Sequence, residues 1–385
     1  MLGNFFLMKE QLSWVEISKK SLSHNVSALK ERLSNDCLFC PCVKANAYGH
    51  GLVETSKILL DAGADWLSVN ALYEAEILRE AGVTAPIYVM GYTLLNDLEK
   101  AWNLDVRLVV YDLETVVKLG EIARSRSGDE SLKLHLKVET GNNRQGVEVE
   151  DVVSFAEEIT KVEGLELEGI ATHFANIEDT TDHTYAFKQV DRFKEAANLL
   201  REAGFDNFIM HCANSAATIL YPETHFDMAR VGIAAYGMWP SPETRVTYQN
   251  LNKNGFSLKP AFVWKSVVAQ IKTAPKDSAI GYGCSYKTTR DTRVAIIPIG
   301  YYDGYDRHLS NSSYVLIRGH RAKLLGRVCM NIIMVDVTDI PDIELEDEVT
   351  LLGDEITAEM FAGWIGTINY EVTTRVNERI PRVVV

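Results

Sequence analysis

Residues 43–51 read VKANAYGHG and follow CLFCPC, a run of apolar and small residues with the pattern of a buried strand. A lysine, an asparagine, a tyrosine and a histidine crowd the end of that strand, with Gly49 and Gly51 among them. Two readings fit this stretch taken alone. In one, Lys44 is a surface charge and the glycines turn the chain. In the other, Lys44 is held on a stiff strand and partly desolvated, and its amine is a nucleophile. What else the fold delivers to the same place decides between them.

Other chemically capable side chains recur at the ends of strand-like runs: Arg144 in ETGNNRQG, His173 after LELEGIAT, Asn214 and Ser215 in CANSAAT, and Arg230 with Gly232 in RVGIA. Each has a plain structural reading. A histidine can be a satisfied core residue, a strand arginine half of an ion pair, Ser215 only a helix cap, and Gly232 only relief from crowding. Together they are complementary. Ser215 opens a helix and the backbone near Gly232 offers amide donors, which suits a phosphate. An aldehyde-reactive lysine beside a phosphate cradle points to pyridoxal phosphate held as a Schiff base.

The elements that must position these groups alternate. LFCPCVKA, WLSVN, PIYVM, VRLVVYD, KLHLKVET, LELEGIATH, NFIMHCAN and FDMARVGIAAYG read as eight strands. Between them lie segments such as LVETSKILLDAG and DRFKEAANLLREAG, with apolar residues at three and four spacing. The pattern predicts an α/β chain with a (β/α)8 TIM-type barrel, whose active site lies at the C-terminal ends of the strands. No Gly-x-Gly-x-x-Gly follows the first strand, which disfavours an open doubly wound sheet. After residue 255 the texture becomes β-rich, with helical pattern only in TAEMFAGWIGT. The expected organisation is an N-terminal strand region (1–20) packing with the C-terminal domain, a cofactor-binding barrel (21–250) and a mostly β domain (251–385).

Composition narrows the function. A formal charge of -14 and the lack of any Lys/Arg run disfavour nucleic acid and anionic membranes as partners. No run of 18 apolar residues occurs, and MLGNFFLMKEQLSWVEISK has neither a basic start nor a long apolar middle, so the expectation is a soluble, cytoplasmic protein acting on small molecules. Six cysteines at 37, 40, 42, 212, 284 and 329 lack the paired spacing of a metal site; they are expected to be reduced thiols, and no metal is expected.

VKANAYGHG, RQGV, THFA, CANSAAT, RVGIAAYG, GYGCSY, IPIGYYDGYDR, GRVCM and TINYEV, in that order over nearly the whole chain, resemble the alanine racemases, pyridoxal-phosphate enzymes with a barrel and a C-terminal β domain. The resemblance implies reversible racemisation of L-alanine to D-alanine, supplying peptidoglycan, with Lys44 binding the cofactor and acting as one base and Tyr286 as the other. It implies that Tyr48, Ser215, Gly232, Ile233 and Tyr370 hold the phosphate, with Asn214 beside them, and that Arg230 faces the pyridine nitrogen. Arg144 and Met330 would meet the substrate carboxylate, His173 would link Arg230 to Tyr286, and Tyr305 and Glu178 match positions lining an entry channel. Lys137 stands where some members carry a carbamylated lysine. The family's usual Asp-Thr-Gly-Met-x-Arg-Leu-Gly is here ETGNNRQG, with Asn142, Asn143 and Gln145 around Arg144, and Asn331 replaces the usual Asp after Met330. Two bases on opposite faces of Cα suit racemisation, and a homodimer with shared active sites is implied. The sibling readings are a racemase of serine or of a broader substrate range and, further off, a noncatalytic pyridoxal phosphate carrier. The bulk of Tyr286 and Tyr370 argues against the larger substrates, and the second domain argues against the carrier.

Overall fold

The computed structural model describes residues 11–126, 131–251 and 255–385. They form two compact units. One is Ser21–Ala47 with Leu52–Lys259; the other holds the described residues up to Lys20, then Tyr48–Gly51 and Pro260–Val385. Residues 1–10, in the stretch where no secretory signal is expected, lie outside the described residues.

The first unit is the eight-stranded barrel that the alternation predicts. Its strands, after β1 (Ser13–Ile17) of the other unit, are β2 (Leu38–Pro41), β3 (Leu67–Val69), β4 (Ile87–Val89), β5 (Arg107–Val110), β6 (Leu132–Lys137), β7 (Leu165–Ala171), β8 (Ile209–His211) and β9 (Met228–Val231). β3 to β8 form one parallel sheet in sequence order, and β2 pairs in parallel with β9. Backbone bonds close the ring. Arg230 N–H donates to the Ala213 carbonyl at 3.0 Å, and Val43 N–H donates to the Ser68 carbonyl at 2.8 Å beside a parallel Cys42–Ser68 bridge. β3, β4 and β5 are buried at every position, as expected where helices cover the outside and side chains fill the inside. The covering helices carry the matching stripe: in Thr184–Glu202 the buried residues are Ala186, Gln189, Val190, Phe193, Ala196, Ala197 and Leu200.

All eight expected runs overrun the observed strands, the last by the most. LFCPCVKA is extended only to Pro41, and FDMARVGIAAYG only over Met228–Val231 before a tight 3-10 turn at Ile233–Tyr236. Inside the ring, Cys40, Trp66, Tyr88, Val109 and Met228 pack as one apolar cluster.

The second unit is built on a six-stranded sheet. Its strands are β1, β10 (Phe262–Val267), β15 (Tyr314–Ile317), β16 (His320–Lys323), β18 (Glu348–Leu352) and β19 (Arg382–Val384). β1 lies between β10, antiparallel, and β19, parallel, and its SWVEI pattern buries Trp14, Val15 and Ile17. A smaller sheet joins β11 (Gln270–Ala274), β14 (Thr292–Ile297) and β17 (Ile333–Asp336), and β12 (Ala279–Ile280) pairs with β13 (Tyr286–Lys287). TAEMFAGWIGT forms the helix Ala358–Ile365, started by the Thr357 side chain accepting from Met360 N–H and ended at Gly366 with φ 73°. No helix among the described residues is long and apolar enough to cross a membrane.

Candidate active site

Lys44 follows β2, but the chain there is not extended. Ala45, Asn46, Ala47 and Tyr48 all take left-handed backbone angles, with φ of 53°, 55°, 53° and 53°. That conformation costs a non-glycine residue roughly 1–2 kcal/mol, so the surroundings must impose it. Glu74 does much of this: one carboxylate oxygen accepts from Ala45 N–H at 2.6 Å, the other from Asn70 and Ala71 N–H at 2.8 and 3.0 Å. Asn46 Oδ1 accepts from Leu52 N–H at 2.8 Å and so starts the next helix. The half-buried Lys44 side chain has no hydrogen-bond or ion-pair partner among the described residues.

The barrel's sequence-predicted cations converge. His173 sits among Lys137, Arg230, Arg144 and Lys44, and burial followed by those charges pushes its ring well below the ordinary imidazole value. Burial, then Arg230 and Arg144, likewise pushes the Lys137 amine well below its usual range. Glu139, the nearby carboxylate, is occupied by its own loop, accepting from Gly141 N–H at 2.5 Å and Arg144 N–H at 3.2 Å. Burial raises its pKa, and the loop amides outweigh that and hold it below the ordinary carboxylate range. The residues that depart from the family pattern have defined partners: Asn142 donates to the His173 carbonyl at 3.3 Å and Gln145 to Tyr111 Oη at 3.0 Å.

Arg230 lies in β9, opposite Cys40 in register. Its Nη1 donates to His211 Nδ1 and, at 2.8 Å, to the His211 carbonyl; Nη2 donates to the Thr172 carbonyl at 2.7 Å. Two of its five N–H groups, on Nε and Nη2, have no partner among the described residues. The expected link from Arg230 to His173 needs correction: the bond goes to His211 on β8, and no hydrogen bond joins Arg230 to the His173 ring.

Ser215 and Asn214 serve the protein as well as any ligand. Ser215 Oγ accepts from Ala234 N–H at 3.2 Å, which ties the helix Ser215–Leu220 to the turn after Gly232 and Ile233. Asn214 is engaged at both side-chain polar atoms: Oδ1 caps that helix by accepting from Ala217 N–H at 3.0 Å, and Nδ2 donates to Glu178 Oε1 at 2.7 Å. Burial raises the Glu178 carboxyl above its usual pKa.

Within the second unit, Tyr48 and Tyr370 have ring centroids 6.1 Å apart. Gly49 is needed there, because φ is 86° and a Cβ would lie 2.0 Å from the Thr373 carbonyl oxygen. Arg382 anchors the same turn, donating from Nε to the Gly49 carbonyl at 3.0 Å and from its other nitrogens to the carbonyls of Val376, Asn377 and Ile380. Tyr286 is half-buried at the start of β13, against Ala274, Ile280, Val294, Leu325 and Met334, with Lys323 Nζ 5.9 Å from its ring centre. Met330 is 55% exposed in a loop that Gly300 approaches too closely to carry a side chain.

Tyr305 does not reach a channel in this unit. It is fully buried between Trp264 and Phe361, and burial raises its hydroxyl to about 12. The exposed tyrosines of the same IPIGYYDGYDR segment are Tyr301 and Tyr302. Sequence reading also missed His135 and His211, both wholly buried in the barrel. A signal was present: Lys133, His135 and Lys137 in KLHLK share one face of β6 by the two-residue period.

The chain as a whole is similar to known proteins. Residues 17–240 match the family model described as alanine racemase, N-terminal domain, and residues 261–384 match alanine racemase, C-terminal domain. Among similar proteins, an alanine racemase of Leptospira interrogans is 40% identical over 378 residues, covering 97% of this chain and 96% of the relative. One from Methanococcus maripaludis is 40% identical over 375 residues, covering 96% and 98%. Among solved structures, an alanine racemase of Clostridium difficile 630 superposes with a TM-score of 0.91 at 37% identity, covering 97% of this chain and 96% of that one. The alanine racemase of Bacillus anthracis with bound L-Ala-P gives 0.89 at 37% identity, covering 97% and 95%.

Proposed function

Because the chain belongs to the alanine racemase family, we propose that it interconverts L- and D-alanine with pyridoxal 5'-phosphate bound at the barrel mouth. The observation that carries this reading is the gathering of Lys44, Lys137, Arg144 and Arg230 around His173 in a protein of net charge -14. The neighbouring carboxylate, Glu139, is tied into its own loop, so the mouth favours anionic ligands, and a cofactor phosphate with a substrate carboxylate meets that demand.

The residues present fit the cofactor. Lys44 offers a primary amine for covalent attachment, and neither it nor two of the Arg230 N–H groups has a partner among the described residues. Tyr48, Ser215, Gly232, Ile233 and Tyr370 would hold the phosphate, with Asn214 acting through its cap on the Ser215 helix. When bound, the cofactor supplies a carbonyl carbon that takes up the substrate's amino group and a ring that draws electrons from Cα.

The protein's own groups do the rest. Lys44 removes or returns the Cα proton on one face, and Tyr286 does so on the other, so a proton taken from one side returns on the opposite side. Arg144 and the Met330 backbone orient the carboxylate. Arg230 does not readily give up its proton, so it would leave a ring nitrogen held against it unprotonated, which would favour racemisation over transamination. Whether or not Lys137 is carbamylated, its place beside Arg144 and Arg230 sets the charge around that carboxylate.

A homodimer with shared sites completes this reading. The C-terminal unit exposes Tyr282, Tyr301, Tyr302, Met330 and Ile332 in the segments that carry Tyr286 and Met330, a set of apolar side chains suited to a second subunit. D-alanine made in the cytoplasm would then supply peptidoglycan. Chiral analysis of alanine, serine and lysine incubated with the protein and pyridoxal phosphate tests the assignment, with alanine racemised fastest. Faster serine or lysine turnover would move the substrate, and a visible Schiff-base absorbance with no loss of optical rotation would make the protein a carrier.

A further inference from the structure

A line of buried polar groups runs through the barrel behind Arg230. His211 Nε2 lies 2.7 Å from His135 Nδ1, and His135 Nε2 lies 3.0 Å from Glu168 Oε2. Glu168 is flanked by Arg107 Nε at 3.3 Å and Lys133 Nζ at 3.2 Å. His135 and His211 are wholly buried.

Donor and acceptor rules fix the direction of every proton in this line. A guanidinium only donates, so His211 Nδ1 must be a bare acceptor. The neutral ring then carries its proton on Nε2 and donates to His135 Nδ1, which must be bare in turn. His135 therefore carries its proton on Nε2 and donates to Glu168, which accepts from all three neighbours as a carboxylate. A proton added to either ring would set two N–H groups against each other. The local fields agree: burial, then Arg230, lowers His211 well below its ordinary value, and burial lowers His135 despite Glu168. For Glu168, burial raises the pKa, but the His135 bond and the charges of His135, Arg107 and Lys133 keep it below the usual carboxylate range.

The fold is shaped around this line. β6 and β7 slip register between Leu134 and His135, so that Leu134 faces Leu167 while His135 faces Gly169, and Glu168 is the extra residue of the bulge. Gly169 leaves the room that His135 occupies.

We propose that Glu168 and His135 are positioning residues for the reaction: the carboxylate at the far end sets both histidine tautomers and so keeps a bare nitrogen in front of Arg230. This rests on the proposed function, in which Arg230 faces the cofactor ring. Two substitutions separate the acceptor from the shape of the side chain. His135 Nε2 and Arg107 Nε both reach Oε2, whereas Lys133 Nζ reaches Oε1, so in Glu168→Gln the amide oxygen stays toward His135 and holds both tautomers. Glu168→Leu removes the acceptor, leaves the His135 Nε2–H without a partner and frees both rings to take the Nδ1–H form, in which His211 opposes Arg230.

The test is nitrogen-15 NMR of histidine-labelled holoenzyme reconstituted with pyridoxal phosphate. In the wild type, His135 and His211 should both be neutral with the proton on Nε2 from pH 6 to 9. Glu168→Gln should keep these tautomers, whereas in Glu168→Leu both rings should gain an Nδ1–H population, kcat should fall about tenfold, as is typical of lost outer-shell support, and KM should change little. The ratio of pyruvate to racemised product should also move. A charged or Nδ1–H His211 in the wild type, which needs no variant to detect, would overturn the proposal. So would a folded Glu168→Leu protein with unchanged tautomers and turnover. If the wild type showed the expected tautomers yet neither bound the cofactor nor racemised alanine, the functional assignment would fail while the proton direction stood.

Discussion

Gly169 and His135 occupy one space: a Cβ on residue 169 would lie 2.5 Å from His135 Nδ1 and 2.9 Å from the Ile209 carbonyl oxygen. Neither neighbour can give way cheaply, because the imidazole is bonded at both nitrogens and the carbonyl belongs to β8. A glycine inside a barrel strand is thereby explained without any turn. Gly169→Ala should destabilise the protein by about 1–3 kcal/mol, the usual cost of overpacking. Urea denaturation checks this, and an unchanged midpoint would mean that the ring moves freely.

Acid should unfold the protein in two windows. His135, His173 and His211 have folded pKa values below the ordinary 6.5. Above that value neither folded nor unfolded chain binds the protons. Below it the unfolded chain takes up protons that the folded rings refuse, so stability falls by up to about 1.4 kcal/mol per pH unit for each ring. Glu168 is depressed below 4.5, so its contribution is complete above that pH and is lost as pH falls through the folded value. The urea midpoint of the apoprotein should decline more steeply below pH 6.5 than above it, where the depressed Lys137 amine already contributes a slope. A slope that does not steepen down to pH 5 would show that the buried rings accept protons.

The barrel was legible because its signal is periodic and repeated: eight strands with striped helices between them leave few other folds. The gathering of Lys44, Arg144 and Arg230 around His173 was legible because strand ends of a barrel face one way. The left-handed turn at Ala45–Tyr48 was not, since nothing in ANAY disfavours an extended or right-handed chain locally; Glu74, 29 residues after Ala45, imposes it. His211 was hidden for a similar reason. Its role depends on which of two histidines reaches Arg230, and pairing across β8 and β9 decides that. The pattern IPIGYYDGYDR marks three tyrosines but not which one turns into the core, and the packing of Tyr305 on Trp264 and Phe361 settles it.

Lys44→Ala should abolish covalent attachment of pyridoxal phosphate, because only a primary amine forms the Schiff base. Lys137 is the informative alternative, since burial and its cationic neighbours push its amine toward neutrality. Borohydride reduction followed by peptide mapping should place the adduct on Lys44 alone. An adduct on Lys137 in the wild type would relocate the anchor.

Arg230→Glu should raise transamination relative to racemisation, since a carboxylate supports a protonated ring nitrogen and a longer-lived carbanion. The same change sets a carboxylate where His211 Nδ1 is bare, so His211 should gain a proton or invert its tautomer. Pyruvate formed per racemisation event is the measurement. An unchanged ratio in a folded, cofactor-loaded variant would mean that Arg230 does not face the ring.

The two bases should come from different chains. Lys44 follows a barrel strand and Tyr286 opens a strand of the C-terminal unit, and the proposed reaction needs them on opposite faces of one carbon. A head-to-tail pair lets each C-terminal unit cover the partner's barrel mouth, exclude water and supply the second base. Mixing inactive Lys44→Ala with inactive Tyr286→Ala after reversible dissociation tests this directly. In a mixed dimer one site then carries both lesions and the other carries neither. Random re-pairing makes half the dimers mixed, so roughly a quarter of wild-type sites should return. If both bases belonged to one chain, every site would keep one lesion and mixing would restore nothing. Absent recovery, with mixed dimers shown to have formed, would remove the shared site and leave the racemase assignment to stand on its family.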